Sequence, residues 1–159
     1  MSILSGKTSE EVHVLLVEDD PADALLTREA FETHKIANPL HVVTDGAEAL
    51  RFLRREDPYK LAPRPALIVL DLNLPGIDGR QVLAEIKADP DLRAIPVVIL
   101  TTSSAEEDIV RSHDTHANGY ITKPMDLEQF MRVVRQLDEF FVTMVRRPTT
   151  HRSRATPAG

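Results

Sequence analysis

The sequence predicts an α/β fold built on one parallel sheet that is covered by helices on both faces. Three observations carry that prediction. Apolar runs without in-out alternation stand at residues 12–17, 66–70 and 95–100, and such runs suit strands buried on both faces. Each run ends abruptly in acidic or hydroxyl residues. Each is then followed by a stretch with apolar residues at helical spacing, and strand-helix alternation argues for parallel pairing. With 159 residues and no internal repeat, one domain is expected.

The first strand, 12–17, is interrupted only by His13 and closes on Glu18, Asp19 and Asp20. Asp20 followed by Pro21 has the form of an N-cap with proline at the first helical position, and Leu25, Leu26, Ala30 and Phe31 continue the helix. Residues 40–44 make a second short strand, and Asp45-Gly46 opens a helix through Ala49, Leu50 and Leu53. The segment 54–65 holds three prolines and is expected to be a loop. The third strand, 66–70, ends at Asp71, and the turn-rich LPGIDG stretch leads to a helix around 82–86. The fourth, 95–100, ends at Thr101 and Thr102. Ser104 is expected to cap a helix over 105–115, whose Glu106, Glu107 and Asp108 complement the positive end of its dipole. The last strand, 120–122, is closed by Lys123-Pro124, and Asp126 caps a long final helix.

Composition narrows the function classes. The chain is 42% hydrophobic and 28% charged, long enough to bury about 70% of its unfolded surface without a covalent or metal staple. It contains no cysteine, which removes disulfides, thiol nucleophiles, zinc-thiolate sites and iron-sulfur ligation. The N-terminal stretch lacks a signal-peptide core and no segment reaches about 18 apolar residues, so a cytoplasmic protein is expected. The net charge is -6, yet residues 146–159 carry four arginines and no acid, which leaves 15 basic against 25 acidic side chains elsewhere. Such an acidic body repels a nucleic-acid backbone, so neither nucleic acid nor membrane is an expected partner. Residues 1–11 and the basic stretch 146–159 are expected to be disordered.

In an open parallel sheet, sites form beyond the carboxyl ends of the strands, where strand order reverses. Those ends here hold Glu18 and Asp19, Asp71, Thr101 and Lys123. Three clustered carboxylates repel one another unless a cation joins them, and oxygen donors without histidine or cysteine favour a hard ion such as Mg²⁺. A lysine beside them suits a phosphoryl oxygen. Read singly, an acid at a strand end is usually a helix cap, which is the reading preferred for Asp20. His113 and His116 lie three residues apart, but with no third ligand in view they do not make a metal site.

The chain resembles response regulator receiver domains of two-component signalling through LLVEDD (15–20), LIVLDLNLPGIDG (67–79), VVILTTS (97–103) and GYITKP (119–124), in that order. The resemblance covers about residues 12–145. It implies a flavodoxin-like (βα)5 three-layer sandwich with strand order 2-1-3-4-5. It also implies that Asp71 is the phosphoacceptor, that Glu18 and Asp19 hold Mg²⁺ together with Asp71 and the backbone carbonyl of Asn73, that Thr101 and Tyr120 are the switch pair, and that Lys123 contacts the phosphoryl group. The chain would then be a switch rather than an enzyme, with at most self-phosphorylation from small donors and autodephosphorylation. A histidine kinase would be its partner. An ionised aspartate needs no general base to attack phosphorus, so what the site must supply is charge neutralisation.

Glu18 departs from the commoner aspartate, and 54–65 looks like an insertion. With TTS after the fourth strand and a long last helix, these features are similar to single-domain regulators paired with bacterial phytochrome kinases. The residues after the last helix are too few for a helix-turn-helix, so output is expected through another protein or a downstream histidine. Three rival readings fit the sequence less well. A haloacid dehalogenase-type phosphohydrolase needs an acid where Asn73 stands; a flavin carrier would need a glycine-rich phosphate loop, which this sequence does not contain; an unphosphorylated docking module would not require all five positions. Finally, the last helix has more apolar surface than one sheet face can bury. Leu127, Phe130, Val134, Phe141 and Val145 form the expected core stripe, leaving Val133, Phe140 and Met144 for a homodimer contact unless the 54–65 loop or the tail folds over them.

Overall fold

The computed structural model describes residues 12–33, 36–112 and 116–136. Strands β1 (Val14–Val17), β2 (Leu40–Val43), β3 (Leu67–Asp71), β4 (Val97–Thr101) and β5 (Gly119–Thr122) alternate with helices α1 (Pro21–Thr33), α2 (Gly46–Arg54), α3 (Gly79–Ala88), α4 (Ser104–Arg111) and α5 (Leu127–Arg135). The sheet is parallel throughout, in the order β2-β1-β3-β4-β5. Helix count and layer arrangement are those the sequence pattern predicts, and the strand order is the one the resemblance implies.

The continuous apolar runs serve two cores at once. Leu15, Val17, Ile68, Leu70, Val97 and Ile99 face one side, where α2, α3 and α4 pack Leu50, Leu53, Val82, Ile86 and Val110 against them. Their neighbours Val14, Leu16, Leu67, Val69, Val98, Leu100 and Ile121 face the other side, closed by Phe31 of α1 and by Leu127, Phe130 and Val134 of α5. Successive strand residues alternate between faces, so covering both faces demands an unbroken apolar run.

Several local expectations are corrected. Leu25 and Leu26 continue the helix as expected, but each is 54% exposed and neither joins its buried face. Phe31 fixes the buried face of α1, and the residues sharing its face at helical spacing are Ala24 and Thr27. The cap of α4 is Ser103, not Ser104: Ser103 is extended and its hydroxyl accepts from the Glu106 N–H, while Ser104 is already helical. Helix α4 ends at Arg111, short of the expected residue 115, and residues 113–115 lie outside the described ones. The segment after α2 is the expected loop, and it is anchored to the domain. Arg55 adopts a left-handed conformation (φ 57°) that caps the helix, Tyr59 donates its hydroxyl to Glu48, and Tyr59 and Ala62 pack on the α2 side of the sheet. That is the layer opposite α5, so among the described residues this loop does not cover the final helix. The expected stripe is buried as far as Val134, and Val133 is half-buried against Gly119. Phe140, Phe141, Met144 and Val145 lie outside the described residues.

Candidate functional site

The strand order places β1 and β4 on either side of β3, so whatever ends β3 lies centrally. Val17 pairs with Leu70 and Leu100 with Asp71, which sets Glu18 level with Asp71 and carries Thr101 one residue further. Helix α3 must start close behind. A Cβ on Gly79 would lie 2.6 Å from the Asp71 carbonyl oxygen and 2.7 Å from that of Leu72, a distance only glycine permits. Gly79 N–H also donates to the Leu72 carbonyl at 3.2 Å, drawing α3 onto the end of β3.

Carboxylate oxygens of Glu18, Asp19 and Asp71 all lie within 4.8 Å of one another, the only such three-ligand group among the described residues. Glu18 and Asp71 are 2% and 1% exposed, whereas Asp19 is exposed. Lys123 reaches in from the end of β5, with Nζ at 2.9 Å from Asp71 Oδ2 and 3.1 and 3.2 Å from the two Glu18 oxygens. Its fourth contact is Asp23 Oδ2 in the first turn of α1, at 3.0 Å. Burial pushes the Glu18 carboxyl up to about 7 and Asp71 beside it adds to that, although the Asp20 N–H and Lys123 pull the other way. Burial alone would lower Lys123, but hydrogen bonds to Asp71, Asp23 and Glu18 hold it well above its usual range, firmly charged.

Three acids and one ammonium leave negative charge to be matched. An oxygen-only donor set with one open, solvent-facing acid fits a hard divalent cation, with no softer ligand to favour another metal. His116 adds nothing to it, being in no such ligand group, and His113 lies outside the described residues.

Thr101 is fully buried, and its Oγ1 is the one buried side-chain polar atom without a hydrogen-bond partner among the described residues. Tyr120 is half-buried against the α4 side of the sheet and carries the Arg111 guanidinium 4.4 Å above its ring centre. Asn73 donates its backbone N–H to Asp71 Oδ1 at 3.1 Å, and its carboxamide points to Glu106. The five strand-end positions picked from sequence are therefore brought together. Asp23, Glu106 and Arg111 are additions. Only Glu106 had a visible signal, the Ser103-x-x-Glu106 capping spacing.

Among the described residues, no helix is long and apolar enough to cross a membrane. The response regulator receiver domain family matches residues 14–135. Response regulator Rcp1 of Synechocystis sp. is 43% identical over 145 residues, covering 91% of this chain and 99% of its own. A solved Mn²⁺-bound form of Rcp1 superimposes with a TM-score of 0.67 at 45% identity, covering 87% and 99% of the two chains. The phosphorylated cyanobacterial phytochrome response regulator RcpA gives 0.65 at 49% identity, with 84% and 98% covered. The bacteriophytochrome response regulator RtBRR gives 0.77 at 38% identity, with 92% and 89% covered. Sheet order, strand-end chemistry and these likenesses agree, and the chain belongs to the response regulator receiver domain family, whose members are signalling switches.

Proposed function

We propose that Asp71 accepts a phosphoryl group from a phosphohistidine of a histidine kinase, with Mg²⁺ held by Glu18, Asp19, Asp71 and the Asn73 backbone carbonyl. One observation carries the reading: Lys123 Nζ already sits 2.9 Å from Asp71 Oδ2, while the adjacent buried Thr101 hydroxyl has no partner. An Asp71 carboxylate oxygen forms the new bond to phosphorus as the phosphorus-nitrogen bond of the donor breaks, and the imidazole leaves with the electron pair. The cation, when bound, supplies neutralisation of the phosphoryl oxygens. Lys123 supplies a fixed positive charge to one of those oxygens. Thr101 gains an acceptor it lacks at rest, and its inward movement gives Tyr120 room to follow.

The chain's own catalysis is then limited to self-phosphorylation from small donors and autodephosphorylation. Output goes to a protein partner or a downstream phosphotransfer histidine, in the cytoplasm. The likeness to RcpA and RtBRR supports a phytochrome-type kinase as the donor. A homodimer along the final helix belongs to the same reading and rests on the sequence spacing of Val133, Phe140 and Met144. Sedimentation of Phe140→Glu beside the unmodified chain tests it, with a monomeric unmodified chain counting against it.

The main test is labelling by acetyl phosphate and by an autophosphorylated bacteriophytochrome kinase. One phosphoryl group per chain is expected, lost in Asp71→Asn. Stoichiometric labelling of that variant would refute the assignment, and transfer equally fast from unrelated kinases would refute the phytochrome partner.

A further inference from the structure

Two helices of this chain start in the same way. At α2, Asp45 caps the helix by accepting the Glu48 N–H at 2.7 Å, and Glu48 Oε1 returns to the Thr44 N–H and hydroxyl at 2.9 and 3.1 Å. At α4, Ser103 accepts the Glu106 N–H at 3.1 Å, and Glu106 Oε1 returns to the Thr102 N–H and hydroxyl at 2.7 and 3.0 Å. Both are capping boxes widened by one residue. The boxes differ in what else the glutamate holds. Glu48 Oε2 takes the Tyr59 hydroxyl, a contact within the α2 layer. Glu106 instead takes the Asn73 carboxamide on both oxygens, at 3.3 and 3.1 Å, across 33 residues of sequence.

That second contact is unnecessary for capping, and its position is informative. Asn73 is two residues beyond Asp71 and its N–H is bonded to the Asp71 carboxylate. Thr102 directly follows Thr101, whose hydroxyl is unpartnered. One carboxylate thus ties the loop after β3 to the loop after β4, beside the proposed phosphoacceptor. A backbone shift of Thr101 toward a phosphoryl oxygen carries Thr102 with it and stretches this tie.

Resting on the phosphoacceptor reading above, we infer that Glu106 is a positioning residue of the site, holding Asn73 and Thr102 together at rest and opposing the movement of segment 101–103 that accompanies phosphorylation. The expected consequence is that loosening the tie favours the phosphorylated arrangement. A single exposed charge-assisted hydrogen bond is worth about 1 kcal/mol, or about five-fold in an equilibrium.

Glu106→Gln separates the two roles. Glutamine keeps one oxygen for Thr102, so the cap survives, but it puts an NH₂ group in place of the Oε2 that accepts from Asn73 at 3.1 Å, leaving only the longer 3.3 Å contact to the shared oxygen. Asn73→Ala removes the same contact from the other side and leaves the cap untouched. Labelling by acetyl phosphate and binding of beryllofluoride, both in Mg²⁺, are measured beside the melting temperature. Both variants are expected to bind beryllofluoride about five-fold more tightly with melting within a few degrees of the parent, and the double variant to add little to either. Glu48→Gln, the matching change in the other box, should move only the melting temperature. If the unmodified chain labels on Asp71 but Glu106→Gln and Asn73→Ala bind beryllofluoride like the parent, or if their effects simply add, Glu106 is only a cap and the inference is overturned. If the unmodified chain does not label at all, the phosphoacceptor reading itself fails, and this inference with it.

Discussion

Lys123→Met is the most revealing single change, because it keeps the aliphatic stem and removes only the charge. In the parent, Nζ lies within 3.2 Å of carboxylates from Asp71, Glu18 and Asp23, and the lysine side chain is 15% exposed. Removing one partner from a buried ionic group leaves the remaining charges uncompensated and costs about 3–5 kcal/mol. Asp23 is 30% exposed and keeps part of its hydration, which places the expectation at the lower end, about 3 kcal/mol. For a domain of this size that is a fall of roughly 10 °C in melting temperature. The loss should depend on conditions in a defined direction. At pH 8 without divalent ions, Glu18 and Asp71 face each other charged and the loss is full. At pH 5, Glu18, already pushed up to about 7 in the parent, takes a proton and the loss shrinks. Mg²⁺ at pH 8 stabilises a protein by about 2.7 kcal/mol at a hundred times its Kd, and the variant, lacking the competing ammonium, should have the lower Kd and so gain more than the parent at equal Mg²⁺. Urea unfolding with EDTA or Mg²⁺ at the two pH values measures all of this. A loss below about 1 kcal/mol at pH 8, or an equal loss at pH 5, would refute the charge argument.

Further expectations follow from single features. Thr101→Val should leave stability unchanged or raise it by up to about 1 kcal/mol, because the hydroxyl it removes is buried without a partner, while the response to phosphorylation is lost; thermal melting and phosphorylation-dependent chemical shifts check the two halves. Gly79→Ala should cost about 1–3 kcal/mol, since the new methyl meets backbone oxygen at 2.6 Å and α3 must back away from β3; denaturant midpoints measure it. Mg²⁺ affinity should rise with pH up to about 7 and then level off, because the raised Glu18 proton must leave before the carboxylate can bind; calorimetry in buffers of different ionisation heat should show proton release at pH 6 and little at pH 8. Without Mg²⁺, the Glu18 contribution to stability is present at low pH and lost as pH rises from 4.5 to about 7, and Glu18→Gln should flatten that slope.

The sheet was legible because strands buried on both faces cannot alternate, and the runs at Leu67–Asp71 and Val97–Thr101 therefore stand out against their surroundings. The site was legible for a related reason: in a parallel sheet all strand ends face one way, so Glu18, Asp71, Thr101 and Lys123 could be gathered without any distance. What sequence could not resolve was side-chain reach. Asp23 meets Lys123 and Glu106 meets Asn73 only because α1 and α4 begin beside the same sheet edge, and nothing in local spacing announces either pair. Leu25 and Leu26 misled for a different reason. They stand six and five residues before Phe31, which at about 100° per residue turns both well away from the face that Phe31 defines.

The Lys123 tie also bears on the order in which the protein is made. Its contact with Glu18 spans 105 residues, and that with Asp71 spans 52. Synthesis proceeds from the N-terminus, and contacts of such long separation close last. A chain still on the ribosome with β1 to β3 emerged therefore presents Asp71 without its ammonium or its threonine. The proposed site comes into being only when the fifth strand docks, so a half-made chain would expose the aspartate without the charges that let it compete for phosphoryl groups.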